Sequence, residues 1–266
     1  MRSCYVLRVF TRGDVGGNHL GVVTDVSGLG TDAMQGIAVQ LGFSETVFLQ
    51  ERDGDGPLVR IFTPAAEVPF AGHPLVGAAW ITGAYGGIGT GLLQCGVGEI
   101  PFTVDGEQVW VDTPMVTDVE VAADGPAITA AAHLPGTGRT WWAQMPLPYL
   151  VVEASSAGEV AAASPDFAAL LDGPAAEAAY LFARDGDRVK ARFFAGGLGV
   201  PEDPATGSAA AALAAVLSSE GEPEGRLSID QGDEIGHPST IALAWNPSVV
   251  SLGGTVRHVE ERWLEI

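Results

Sequence analysis

Glu202-Asp203-Pro204-Ala205-Thr206-Gly207-Ser208-Ala209 leads directly into an Ala-rich run that ends near Leu217. The run from Pro204 to Leu217 reads as a helix, with Pro204 in the first turn, where its missing N–H is not needed. Gly207 lets the backbone approach a ligand without a Cβ in the way. Thr206 and Ser208 add hydroxyl donors, and Asp203 adds a group that can hold or move a proton. The unpaired N–H groups and positive dipole end of such a helix suit a carboxylate.

A second stretch has the same shape. Glu67-Val68-Pro69-Phe70-Ala71-Gly72-His73-Pro74 closes a loop and enters a helix predicted over His73–Gly83. Upstream, Arg60-Ile61-Phe62 matches Arg192-Phe193-Phe194, and each trio precedes a Gly/Pro-containing loop. Those loops end in Gly72-His73 and Gly207-Ser208. The chain therefore reads as a duplicated α+β unit. The halves are placed at 1–117 and 118–266, with the terminal strand free to pair with the first half. Two equivalent helix starts about a pseudo-twofold axis make a cleft between the halves the expected site.

The remaining pattern fits the same plan. Strands are predicted at Cys4–Phe10, Gly21–Asp25, Thr46–Glu51, Leu58–Phe62, Leu92–Cys95, Ile100–Val104 and Gln108–Asp112 in the first half. In the second they are predicted at Tyr149–Glu153, Tyr180–Arg184 and Val189–Phe194, with short strands on to Ile266. Met34, Ile37, Ala38 and Leu41 form one apolar helical stripe, with Thr31 or Asp32 to start it and Gly42 to end it. Pro165–Leu171 reads as a short helix opened by Ser164. Val116–Thr140 shows little pattern and is taken as the boundary region.

Composition narrows the function classes. Of 266 residues, 47% are hydrophobic and 17% charged, enough apolar material for a large core. The net charge of −20 repels phosphate backbones and excludes nucleic acid as the expected partner. Cys4 and Cys95 are too few and too far apart for a disulfide framework, and no Cys/His cluster reads as a metal site. Neither a signal peptide nor a membrane span is read, so the expectation is a soluble, cytoplasmic protein.

Gly42-Phe43-Ser44-Glu45-Thr46 supplies the remaining candidate. Glu45 is an acid beside an apolar strand, suited to proton transfer. Each candidate also has a plainer reading. Glu45 fits a turn acid after a helix end. His73 fits a helix cap or a satisfied buried histidine. Asp203-Pro204 fits an N-cap with proline following.

Taken together, Glu202–Ala209, Phe62–Pro74 and Phe43–Thr46 resemble the signatures of the PhzF-like phenazine-biosynthesis family, in the family's order. Gly17-Asn18, Gln231–Gly236 and Gly253-Gly254 agree more loosely. The resemblance implies an α+β diaminopimelate-epimerase-like fold of two pseudo-symmetric halves, each a sheet wrapped around a central helix. It implies no metal and no organic cofactor, a small-molecule substrate and a homodimer. The catalytic carboxylate falls on Glu45, and the substrate-binding residues on Gly72, His73, Asp203, Gly207 and Ser208. The implied activity is an isomerisation such as that of trans-2,3-dihydro-3-hydroxyanthranilate in antibiotic biosynthesis. The alternatives are an epimerase or racemase with non-cysteine bases, since His73 and Ser208 stand where related epimerases carry cysteines, and a non-catalytic small-molecule-binding protein. Three departures bear on substrate choice: His19 replaces a proline, Leu75 a threonine, and His237 the arginine of a Gly-Arg-Pro-Ser segment.

Overall fold

A computed structural model describes residues 2–52, 54, 56–131, 133–135, 137–145, 148–166, 178–196 and 200–264. In chain order the elements begin with β1 (Arg2–Thr11), β2 (Asn18–Val23), α1 (Thr31–Leu41), β3 (Glu45–Gln50), β4 (Leu58–Phe62), β5 (Glu67–Val68) and α2 (Gly72–Gly86). Then come β6 (Thr90–Cys95), β7 (Gly98–Asp105), β8 (Gln108–Pro114), β9 (Val119–Val121), α3 (Gly125–Ala131), β10 (Thr140–Gln144), β11 (Pro148–Glu153) and α4 (Ala157–Ala162). The chain continues through β12 (Ala179–Asp185), β13 (Arg188–Ala195), β14 (Val200–Asp203), α5 (Gly207–Ser219), β15 (Gly225–Gln231), a 3₁₀ turn (Asp233–Ile235), β16 (Ser239–Trp245) and β17 (Val249–Leu264). These elements form two compact units, Met1–Thr113 with Ser251–Ile266, and Pro114–Val250.

In the first unit β1–β2 is antiparallel, β2–β3 parallel, β3–β4 and β4–β5 antiparallel, β4–β6 parallel and β6–β7 antiparallel. In the second, β10–β11 is antiparallel, β11–β12 parallel, β12–β13 and β13–β14 antiparallel, β13–β15 parallel and β15–β16 antiparallel. The order of pairings is the same in both. The terminal strand β17 pairs with β1 from Arg2↔Leu264 to Thr11↔Thr255, which joins the chain's end to the first unit.

Each unit encloses one apolar helix. Leu75, Val76, Ala78 and Ala79 of α2 are fully buried, and the helix packs on β1, β2, β3, β4, β6 and β7. A helix apolar on all sides is stable only when surrounded. Gly77 allows the closest approach, since a Cβ there would collide with Leu20. In the second unit every residue of α5 from Gly207 to Leu217 is buried, and α5 packs on β9, β10, β11 and β16. A smaller helix rests against further core residues of each unit. Met34, Ile37 and Ala38 of α1 pack with Cys4, Val23, Phe48 and Phe62. Val160 of α4 packs with Val152, Leu181 and Phe194.

The same ionic clamp recurs in both units. Arg60 grips Glu67 with two hydrogen bonds of 2.7 Å and lies 5.1 Å from the Phe62 ring centre. Arg192 grips Glu202 at 2.8 and 2.7 Å and lies 4.8 Å from the Phe194 ring centre. The matching Arg trios are thus explained by the glutamate that each arginine holds at the mouth of the following loop.

Several boundaries differ from the sequence reading. α1 is preceded by Gly30, which makes no side-chain cap; Thr31 is already helical, and its hydroxyl accepts from Arg60 at 2.9 Å. Gly42 does end α1, at φ 66°. α5 begins at Gly207 rather than Pro204, because β14 runs to Asp203 and Thr206 is still extended. The supposedly patternless Val116–Thr140 contains β9 and α3. Pro165 and Asp166 are not helical, and the rest of the helix expected over Pro165–Leu171 lies outside the described residues. Among the described residues no helix is long and apolar enough to cross a membrane.

Candidate active site

The six candidate residues fall into two groups, one in each unit. In the first unit, Gly42 turns the chain out of α1 in a left-handed conformation, and Glu45 opens β3 beside Leu20 of β2. Gly72 and His73 are the first two residues of α2. This brings His73 Nε2 to 3.4 Å from Glu45 Oε2. The Glu45 side chain is 19% exposed and that of His73 4%. Desolvation pushes the His73 imidazole down to about 3, opposed by a hydrogen bond with the His19 backbone. The ring is therefore neutral at neutral pH, and its approach to Glu45 is a polar contact rather than an ion pair.

Two further side chains complete this group. Asn18 Nδ2 lies 3.3 Å from His73 Nδ1, and Ser44 Oγ donates to Asn18 Oδ1 at 3.1 Å. Asn18, the first residue of β2, thereby links the strand to the segment that carries Glu45. The neighbouring His19 ring stacks on Phe43 with centres 5.7 Å apart, and Arg262 covers the same ring at 5.5 Å.

In the second unit Asp203 ends β14, and Gly207 and Ser208 open α5. Asp203 and Ser208 are each 7% exposed. Thr206 donates to Asp203 Oδ2 at 2.6 Å. Ser208 Oγ shares a hydrogen bond with Tyr149 OH at 3.1 Å. No side-chain hydrogen bond caps α2 at Ala71 or α5 at Thr206, so the first-turn N–H groups keep their capacity to bind an anion.

The side chains of Glu67–His73 and Glu202–Ser208 correspond without a gap. Glutamate and proline recur at the same places, Gly72 matches Gly207, and His73 matches Ser208. Val68 stands where the second unit has Asp203. The two helix starts thus carry different chemistry on equivalent positions.

Both thiols are remote from such a role. Cys4 is fully buried in β1, and desolvation pushes it up to about 11; Cys95, at the end of β6, is also raised by burial. A thiol that stays protonated is a poor base. Among the described residues no group of three or more His, Cys, Asp or Glu is placed to hold a metal ion.

Reasoning from sequence missed Asn18, Tyr149 and Gln231 as partners of the candidate residues. Asn18 and Gln231 lay in two of the three loosely matching segments, which was the available signal. Tyr149 carried none, being one apolar strand residue among many.

The fold is shared with a hydroxyproline epimerase from Agrobacterium vitis, at a TM-score of 0.65, 11% identity and coverage of 98% of this chain and 93% of that one. Residues 7–261 match the PhzC-PhzF family model, described as phenazine biosynthesis-like protein, and the chain belongs to that family. A PhzF-family phenazine biosynthesis protein from Enterococcus faecalis superposes with a TM-score of 0.85 at 24% identity, covering 99% of each chain. A trans-2,3-dihydro-3-hydroxyanthranilate isomerase from Pseudomonas chlororaphis is 34% identical over 249 residues, 91% of this chain and 89% of its own.

Proposed function

We propose that this protein is a cofactor-independent isomerase that moves a proton within a small, cyclic, unsaturated amino acid. The observation that carries the reading is the pairing of Glu45, partly buried at the start of β3, with the buried neutral imidazole of His73. Such a carboxylate can take a proton from an activated C–H and return it at a conjugated carbon. The neutral ring offers a polar contact that does not hold Glu45 in an ion pair. Likeness to the Pseudomonas chlororaphis enzyme supports a substrate of the trans-2,3-dihydro-3-hydroxyanthranilate type.

The other residues bind and orient. In the first unit His73 and the N–H of Gly72 are the binding groups, and in the second Asp203, Ser208 and the N–H of Gly207, suited to a substrate's amino or hydroxyl group and, at the uncapped helix starts, to its carboxylate. The repeated order of strand pairings and the repeated Arg–Glu clamp support two pseudo-symmetric halves, of which the first carries the acid–base carboxylate. The raised thiols Cys4 and Cys95 speak against a two-cysteine racemisation.

The test is turnover of trans-2,3-dihydro-3-hydroxyanthranilate by wild type and Glu45→Gln. General acid–base catalysis contributes roughly 10²–10⁴-fold, so kcat falls by that factor in the variant while the fold is retained. A loss below about tenfold would assign the proton transfer to another group.

A further inference from the structure

Asp203 is held by a chain of hydrogen bonds whose direction is fixed at every link. Gln231, the last residue of β15, is fully buried. Its Nε2 lies 2.8 Å from the main-chain oxygen of Asp203. A carbonyl oxygen only accepts, so this end of the amide is the NH₂. The other end, Oε1, faces the Thr206 N–H at 3.5 Å, consistent with that orientation. The second N–H of the amide meets Thr206 Oγ1 at 3.0 Å. Having accepted there, the Thr206 hydroxyl directs its own proton to Asp203 Oδ2, at the short distance of 2.6 Å expected for a carboxylate acceptor.

The backbone keeps these groups together. Gly232 sits at φ +83°, and a Cβ there would run into the carbonyl oxygens of Pro204 and His237. The turn after Gln231 is therefore packed directly against the segment that carries Asp203. Thr206 and Asp203 are themselves 8% and 7% exposed, so little water competes for the chain.

We propose that Gln231 is a positioning residue, which acts through the Thr206 hydroxyl to hold the Asp203 carboxylate in one rotamer for the substrate's amino group. The proposal rests on the reading of Asp203 as a substrate-binding residue. Gln231 itself touches main chain and Thr206, not the substrate.

The experiment combines crystal structures with kinetics for Gln231→Met, Thr206→Val, Thr206→Ser and the double variant Gln231→Met/Thr206→Val. Expected in Gln231→Met and in Thr206→Val is a turned Asp203 carboxylate on an unchanged backbone, with Thr206→Ser keeping the wild-type rotamer. With trans-2,3-dihydro-3-hydroxyanthranilate as the probe, KM rises roughly tenfold in the first two variants, the effect of one charge-assisted hydrogen bond, and kcat changes less. Thr206→Ser restores KM, and the double variant is no worse than either single one, because all act on one chain. An Asp203 rotamer unmoved in both Gln231→Met and Thr206→Val overturns the proposal. Should Gln231→Met not fold, Thr206→Val against Thr206→Ser decides alone. If wild type leaves the probe unchanged, the proposed reaction fails, while the Asp203 rotamer in the variant crystals still decides the role of Gln231.

Discussion

Glu45 and His73 stand 3.4 Å apart although 28 positions separate them in the chain, because α2 packs on β3 and each residue lies at the start of its element. The candidates with chemistry of their own were legible in the sequence, since glutamate, histidine and aspartate beside glycine-rich helix starts stand out. Their partners were not. Asn18 reaches His73 across 55 positions and Tyr149 reaches Ser208 across 59, and no local spacing reveals such contacts. The buried imidazole has a measurable consequence. Its folded value near 3 lies below the unfolded value of about 6.5, so the unfolded state binds more protons in that window. Stability contributed by neutral His73 is full above about pH 6.5 and falls as pH drops toward 3. His73→Gln is expected to flatten that part of the pH dependence, read as the difference between wild-type and variant urea midpoints from pH 7 to pH 4. Equal slopes would mean that the ring is protonated in the folded protein.

At the scale of elements, the two Arg–Glu clamps are the same device at different depths. Arg192 and Glu202 have side chains 9% and 10% exposed, and Arg192 also donates to the carbonyls of Val160, Ala161 and Ala163 at the end of α4. Arg60 and Glu67 are 24% and 38% exposed. Removing one partner of a buried pair costs about 3–5 kcal/mol, whereas an exposed pair contributes about 0–1 kcal/mol. Glu202→Gln should therefore lower the unfolding free energy by several times more than Glu67→Gln in chemical denaturation. Similar losses would mean that the depth of the clamp is immaterial. The repeated arginines were visible in the sequence, but their glutamate partners were not assigned, because they stand ten and seven positions further along the chain. Helix interiors were legible from apolar content. The start of α5 was misplaced because Pro204 suits a helix entry, whereas here it directly follows strand β14, and Thr206, just before α5, is still extended.

For the whole molecule, repetition was the legible feature, and the sequence also left the terminal strand free to pair with the first half, as β17 does with β1. β17 runs sixteen residues and lies along β1 with Leu252, Val256 and Leu264 buried, so the first unit is completed by a strand far from it in the chain. Pairing between strands so far apart in sequence carries a large closure entropy and forms slowly. Truncation after Gly254 removes the β17 partner of β1, leaves that edge of β1 unpaired and takes Val256 and Leu264 out of the core. It is expected to abolish cooperative unfolding of the first unit, as followed by near-ultraviolet circular dichroism. A truncated chain with a wild-type melting profile would show that β17 is dispensable.

The most direct test of the account is nuclear magnetic resonance of trans-2,3-dihydro-3-hydroxyanthranilate incubated with the protein in D₂O, with Glu45→Gln alongside. Wild type is expected to migrate the double bond, with deuterium entering the newly protonated carbon to the extent that the Glu45 carboxyl exchanges with solvent before it returns the proton, and Glu45→Gln is expected to do neither. Migration at an undiminished rate in Glu45→Gln would contradict it.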